Sequence, residues 1–399
     1  MAQTTATKPG KLKKILLTVL GVVLALVLLV GGAVWLMWGN EIRTLLSFRQ
    51  IVPRNDAHND GSVYTMTVAG EYYLDDFVAQ GGVSSDTELI GFITDHLTKG
   101  LIDLNLTAPE IGCSSFTAAT ADGDRVFGRN YDFRKTNSCL VFTDPGHGRH
   151  KSVSTIDLRF LGIDTETDVT GLMDRIICLA APFIPLDGMN DAGVSCGIYM
   201  TYQGGEETVA TDQNTDKPDF TSTTFLRMVL DYADSVEEAV ELAQQYDMHD
   251  SAVTSYHYMV ADATGKSAVL EWVGATDGTD NDGAARELKV VWSDETNTQT
   301  VTNFVLQPGY YTADDEAPKG LDRYECLTGH LTETNGTVAD EDAAMALLEE
   351  VGRRSWDNDD ANGITVHSAV YNLTDRTVQW VGNEHYGEDG QVFFFDLNA

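Results

Sequence analysis

The chain is poor in cysteine, poor in basic side chains and without any metal-binding spacing, and each shortage removes a class of protein. Five cysteines in 399 residues are too few and too dispersed for a disulfide scaffold. Four of them, Cys139, Cys178, Cys196 and Cys326, sit in or beside apolar stretches and read as core residues. Two disulfides could form from these four, with no pairing indicated. No Cys-x-x-Cys or His-x-x-x-His spacing occurs, so no zinc site is expected. Only 26 Lys and Arg face 61 Asp and Glu, a formal charge of −35. Nucleic-acid binding needs basic patches that release counterions, and outside a short N-terminal lysine tail there are none. The acid excess suits solubility, or salty or acidic surroundings.

Charge is missing altogether from Ile15 to Trp38, an apolar run of 24 residues. At 1.5 Å per residue a helix of this length spans a hydrocarbon core of about 30 Å with some tilt. The apolar part of a signal peptide is shorter, about 7 to 15 residues, and no small-residue cleavage site stands out near Gly31-Gly32-Ala33. An uncleaved transmembrane anchor is therefore expected at 15–38, behind a cytoplasmic tail at 1–14. Lys8, Lys11, Lys13 and Lys14 precede the span, whereas only Arg43 and Arg49 follow closely. Positive flanks stay inside, which puts the remainder outside the cytoplasm. Residues 39–112 read as a folded prosegment or linker, because Ser85 and Glu88 make a capping box and Leu89, Phe92, Ile93, His96 and Leu97 share one helical face.

Beyond residue 112 the pattern alternates between periods of two and 3.6. Ser222 to Tyr232 and Val236 to Tyr246 read as helices, the second capped by Ser235 with Glu238. Tyr256 to Ala261 and Ser267 to Val273 read as a hairpin, Ala343 to Val351 as a helix, and Thr365 to Asn372 with Thr377 to Val381 as a closing hairpin. The class is α+β. Asp277, Asp280 and Asp282 are spaced like a calcium loop but lack its terminal bidentate acid, so they read as a solvated acidic loop. Gly204 to Asp219 reads as a loop skirting a substrate pocket or as plain surface connection.

The most informative stretch is Gly112 to Phe133. Cys113 begins a strand, Asp122-Gly123-Asp124 makes a turn, and Gly128-Arg129-Asn130-Tyr131-Asp132-Phe133 returns alongside. One hairpin thus brings together a thiol, a guanidinium that can lower its pKa and a carboxylate that can manage its proton. Cleavage at Gly112 would give Cys113 a free α-amine, which titrates near ~8 and can act as the base for its own side chain. Taken alone, Cys113 reads first as a buried structural cysteine.

Several further blocks follow in order: Asp187-Gly188-Met189-Asn190-Asp191-Ala192-Gly193-Val194, Val301-Thr302-Asn303 and Asp322-Arg323-Tyr324. Together with Cys113-Ser114-Ser115-Phe116 and the Arg129 segment, they resemble the choloylglycine hydrolase and penicillin V acylase family over roughly 113–399. The resemblance implies a four-layer αββα N-terminal-nucleophile hydrolase fold for an amidase domain at 113–399, and cleavage of a non-peptide linear amide of bile-salt, penicillin V, N-acyl amino-acid or N-acyl lipid type. It implies Cys113 as nucleophile and Arg129 as the group tuning its thiolate. Asp132 would bind the freed amine, Asn303 would donate to the oxyanion, and Arg323 would complete the charged cluster. It further implies a main-chain N–H near Met200, with Asn190 as the motif asparagine, in substrate or oxyanion contact. No metal or organic cofactor is implied. The partners expected are a small amide and the bilayer, with no nucleic acid and with a homo-oligomer left open. An acyltransferase using the same acyl-enzyme is the near alternative. A surface binding protein without catalysis is the distant one, and the intact set of five residues weighs against it.

Overall fold

The computed structural model describes residues 10–97, 99–100, 112–202, 209–274, 282–311, 317–356 and 363–399. Most of the calcium-like loop, at 275–281, and the first part of the glycine- and threonine-rich loop, within 203–208, lie outside these. Two sheets dominate. The larger has nine strands, in the spatial order Arg49–Val52, Val63–Val68, Ser138–Thr143, Ser152–Asp157, Asp187–Asn190, Ser195–Met200, Tyr256–Ala261, Ser267–Val273 and Glu287–Trp292. All its pairings are antiparallel except Val63–Val68 with Ser138–Thr143. In the smaller sheet Gln299–Val301, Gly112–Thr120, Arg125–Arg134, Gly363–Asn372, Thr377–Gly382 and Val392–Asp396 are neighbours, and Thr337–Val338 pairs with the far end of the Cys113 strand.

Alternation along the strands sorts the side chains into two cores. Phe127, Tyr131 and Trp380 of the smaller sheet share the main core with Met189, Ile198 and Val269 of the larger. On the other face of the smaller sheet, Phe116, Ala118, Val126 and Val370 pack on Leu327 and Leu331 of helix Leu321–Glu333 and on Met345 and Leu348 of helix Glu341–Glu350. Helices Ser222–Tyr232 and Val236–Gln245 serve the larger sheet in the same way. The expected helices and hairpins appear within two residues of their sequence bounds. The two capping motifs differ in one detail. Ser85 and Ser235 accept from the N–H groups of Glu88 and Glu238, but each glutamate reaches past the cap to the N–H of the preceding residue, Ser84 or Asp234.

The region before residue 113 corrects the sequence reading in two ways. First, helical structure continues beyond the apolar run that ends at Trp38. It runs from Lys11 to Ser47 with a kink at Trp38 (φ −135°). Past the kink it docks on the domain: Thr44 Oγ1 accepts from the Ala69 N–H, the Tyr73 hydroxyl donates to Glu41, and Ser47 donates to the Thr67 carbonyl. Second, residues 49–68 are not a linker. They form the edge of the nine-stranded sheet, with Val63 to Val68 in register with Ser138 to Thr143. Helix Asp86–Leu97 then buries Leu89, Phe92, Ile93 and Leu97, and Phe92 and Phe77 both stand against Phe183 with ring centroids 5.8 and 6.3 Å away.

This integration has a measurable consequence. Phe77→Ala should lower global stability by about 3–5 kcal/mol and shift the denaturant midpoint read by Trp272 and Trp380, which lie in the later sequence. A midpoint unmoved at those tryptophans would mean that residues 49–97 unfold as a separate unit.

Candidate active site

The Cys113 strand and its hairpin partner are in register, with Gly112 opposite Asp132, Cys113 opposite Tyr131 and Ser115 opposite Arg129. Directly opposed residues share a face. Cys113, Ser115, Arg129 and Tyr131 therefore point toward the larger sheet, whereas Asn130 and Asp132 point to the helical side. There Asn130 donates to the Leu348 carbonyl, and Asp132 meets Arg323.

Two strands end short of this site, and the polar groups they leave open are taken by side chains. The strand Gln299–Val301 pairs with Thr117 to Ser115 and stops, so it does not reach the main chain of Cys113. The Cys113 N–H donates to Asn303 Oδ1 at 3.0 Å, and its carbonyl accepts from Arg323 at 2.8 Å. Likewise, the strand Asp187–Asn190 begins too late to pair with the far end of Ser195–Met200. The Ile198 carbonyl accepts from Arg129 at 2.7 Å and the Met200 carbonyl from Asn303 Nδ2 at 2.9 Å.

Arg323 stands in the first turn of helix Leu321–Glu333 and joins three groups. Besides the Cys113 carbonyl it binds Asp132 Oδ2 at 3.0 Å and Asn303 Oδ1 at 2.8 Å. The other oxygen of Asp132 accepts from Thr365 at 2.7 Å. Five of the residues singled out in the sequence, Cys113, Arg129, Asp132, Asn303 and Arg323, are thus brought together and buried.

The two remaining assignments come out differently. Met200 is at the site, but it is the carbonyl that is engaged there. Asn190 is not at the site: its side chain accepts from the N–H groups of Ala192 and Val194 and donates to the Ala233 carbonyl. That is the work of a turn-holding asparagine, at the opposite end of the hairpin from Met200.

Arg129 is fully buried, with its guanidinium 4.2 Å from the Tyr199 ring centroid and Nε 3.4 Å from Asp187. Asp187 also accepts from the Tyr371 hydroxyl at 2.6 Å and meets His367 Nε2 at 2.8 Å. Burial works against the charge of Asp187, yet His367, Arg129 and Tyr371 hold its carboxyl below the usual range. For Cys113 burial wins. It pushes the thiol up to about 11, against the downward pull of Arg129 and of Arg323. Arg129 pulls in the expected direction without making a thiolate in the uncut chain.

Asp187, His367, Tyr371 and Tyr199 were not identified as site residues from sequence. Asp187 is visible there only as the first residue of a glycine-containing block, and His367 only as an inward position of the closing hairpin. Among the cysteines, all five are unpaired, and Cys139, Cys178 and Cys196 are buried as expected. Cys326 is not a core residue: it is partly exposed, on the helix that carries Arg323.

Fold and site together define an α+β protein with a cysteine at the start of an inner strand, set among two guanidinium groups and a carboxylate. Residues 113–276 match the family model of linear amide C–N hydrolases, choloylglycine hydrolase family. Over this segment the chain is similar to that family. A bile salt hydrolase/transferase of Clostridium perfringens (strain 13 / Type A) is 28% identical over 175 residues, 40% of this chain and 47% of that protein. The chain thus matches about half the length of that curated relative. Among solved structures, a penicillin V acylase from Agrobacterium tumefaciens is 16% identical, with a TM-score of 0.48 over 72% of this chain and 86% of that one. A variant of the conjugated bile acid hydrolase from Clostridium perfringens is 16% identical, with a TM-score of 0.49 over 72% and 93%.

Asp187→Asn removes the carboxylate that faces Arg129 and His367. It should cost about 3–5 kcal/mol, the usual effect of leaving one partner of a buried ion pair uncompensated, measured by denaturant unfolding at neutral pH. Because the folded-state pKa of Asp187 is depressed, its contribution is present above the ordinary carboxylate value of 3.8 and is lost as pH falls through the folded value. The difference between wild type and Asp187→Asn should therefore shrink on acidification below about pH 4.

Proposed function

We propose that this protein is a membrane-anchored cysteine amidase that hydrolyses a non-peptide linear amide through an acyl-Cys113 intermediate. The observation that carries the reading is the seat of Cys113: a buried thiol whose ionised form Arg129 favours, with its own N–H and carbonyl held by Asn303 and Arg323. Acyl amides of bile-salt, penicillin V, N-acyl amino-acid or N-acyl lipid type are the substrate class, in keeping with the family.

The nucleophile needs a proton acceptor. With its pKa near 11 the thiol is protonated at neutral pH while the Gly112–Cys113 bond is intact. Cleavage of that bond turns the Cys113 N–H into an α-amine of pKa near ~8, within reach of the sulfur it must deprotonate. Asp132, opposite Gly112 in the hairpin, then lies beside the new amine. The thiolate attacks the amide carbon, and the carbonyl oxygen becomes an oxyanion. An asparagine amide has two donor hydrogens. One of those on Asn303 goes to the Met200 carbonyl, which leaves the other for the oxyanion. Collapse of the intermediate releases the amine with a proton from the α-ammonium, and water then frees the acyl group from sulfur.

A second reading is transfer of the acyl group to an amine instead of water. It uses the same intermediate, and the designation of the Clostridium perfringens relative as a hydrolase/transferase favours keeping it.

The apolar helix supports the anchor. Residues Lys13–Ser47 have a mean hydropathy of 2.9 in their most apolar window, and none of that window is buried in the protein. With the lysines on the N-terminal side, the catalytic part faces away from the cytoplasm.

Three outcomes test the chemistry. Cys113→Ala should abolish amine release from a panel of glycocholate, penicillin V and long-chain N-acyl amides, and its intact mass should show the uncut chain. Active wild-type protein should instead yield a piece beginning at Cys113. Asn303→Ala should slow acylation by about 10²-fold or more in single-turnover kinetics. Turnover by Cys113→Ala at the wild-type rate would remove the nucleophile assignment.

The anchor has its own test. Because Val63 to Val68 pair with Ser138 to Thr143 along the main chain, high salt should not release activity from membranes even after the cut. Detergent should release it together with the N-terminal piece.

A further inference from the structure

Outside the active site, a cluster of metal-ligating side chains stands apart among the described residues. Cys326 and His330 lie one turn apart on helix Leu321–Glu333, and Glu350 closes helix Glu341–Glu350 beside them. Sγ of Cys326 is 3.6 Å from Glu350 Oε1, and Nε2 of His330 is 2.9 Å from Glu350 Oε2. One donor atom from each of the three lies within 4.8 Å of the others. From this geometry we propose that Cys326, His330 and Glu350 form a Zn²⁺ site that staples these two helices together.

Donor chemistry selects the ion. A thiolate and an imidazole are ligands that zinc prefers and that calcium and magnesium do not. Zinc-to-sulfur, nitrogen and oxygen lengths of about 2.0–2.3 Å, at tetrahedral angles, separate the ligand atoms by roughly 3.3–3.6 Å. Of the measured separations one, 2.9 Å, lies just below that range and another, 3.6 Å, at its upper end, so an ion can enter with small rotations of the partly exposed side chains. His330 and Glu350 keep 41% and 48% of their side-chain surface open, which leaves room for water as the fourth ligand. On binding, the Cys326 S–H bond breaks, an S–Zn bond forms and the proton passes to solvent. No electron moves.

The spacing also explains how this site could have escaped sequence reading. Cysteine and histidine at i and i+4 share a helix face, but the third ligand comes from another helix 20 residues beyond His330, so no short motif contains all three. The position gives the ion a role. Arg323, which binds the Cys113 carbonyl, Asp132 and Asn303, lies three residues before Cys326 on the same helix. A staple between the helices holds that helix against its neighbour and so supports the seat of Arg323. It lies in the outer helical layer, away from the thiol of Cys113, and is structural.

The test uses the full chain in detergent, stripped of metal with a chelator and titrated with Co²⁺. Wild type should bind one equivalent with the visible bands of tetrahedral cobalt and a near-ultraviolet thiolate-to-cobalt band, and Zn²⁺ should displace it. Cys326→Ser should lose the thiolate band, and His330→Ala should weaken binding at least 10-fold. Both positions are partly exposed, and circular dichroism would verify that the variants are folded. Zn²⁺ should also raise the Tm of wild type and leave that of Cys326→Ser unchanged. Absence of a thiolate band in wild type would overturn the site. So would a band that survives in Cys326→Ser, because another cysteine would then be the ligand.

Discussion

A guanidinium buried between two β-sheets is the constraint around which the rest of this molecule is arranged. Arg129 has no exposed surface, and a charge taken from water costs several kcal/mol unless it is met by other polar groups. The groups that meet it come from the opposite sheet: the Asp187 carboxylate, the Ile198 carbonyl and the Tyr199 ring. Sliding one sheet over the other by a single residue would break all three contacts at once. The relative placement of the sheets is therefore set by a polar contact, while apolar packing supplies most of the driving force. The thiol of Cys113 occupies the same enclosure and is subject to the same desolvation, which outweighs the help it receives from the cation.

On the helical side of the hairpin, Arg323 plays a complementary part. It links the main chain of Cys113, the carboxylate of Asp132 and the amide of Asn303, three groups from three separate segments. Both arginines reach backbone carbonyls that a longer neighbouring strand would have covered. Short strands thus act here as a way of opening backbone groups to side chains, at the one place where the chain needs them oriented.

Local signals are legible in the sequence, and distant ones are not. The hairpin from Gly112 to Phe133 was legible because a thiol, a turn and a charged return strand lie within one short stretch. Helix Ser222–Tyr232 was legible because its apolar face repeats at helical spacing. Asp187 and His367 meet across 180 residues, and no local period marks such a meeting. Val63–Val68 does alternate, with Tyr64, Met66 and Val68 buried and Thr65 and Thr67 more exposed, but its partner Ser138–Thr143 lies far along the chain, and no local period tells which sheet it joins. Asn190 falls in a motif block that points to the site, yet its donors and acceptors are used within its own turn and by Ala233. Cys326 reads as core in the sequence and is partly exposed in the structure, because apolar neighbours in sequence do not reveal which side of a helix faces water.

The edge strands contributed by residues 49–68 change what cleavage before Cys113 would do to folding itself. A continuous chain folds as one molecule, at a rate independent of concentration. Cut at that bond, the same sheet would be shared by two polypeptides, and recovering it after unfolding would require them to find each other. Refolding would become a second-order event and unfolding, in dilute surroundings, a one-way one. The processed protein would then persist by the height of its unfolding barrier, with the time of assembly, before the cut, as the only stage at which the sheet forms unimolecularly.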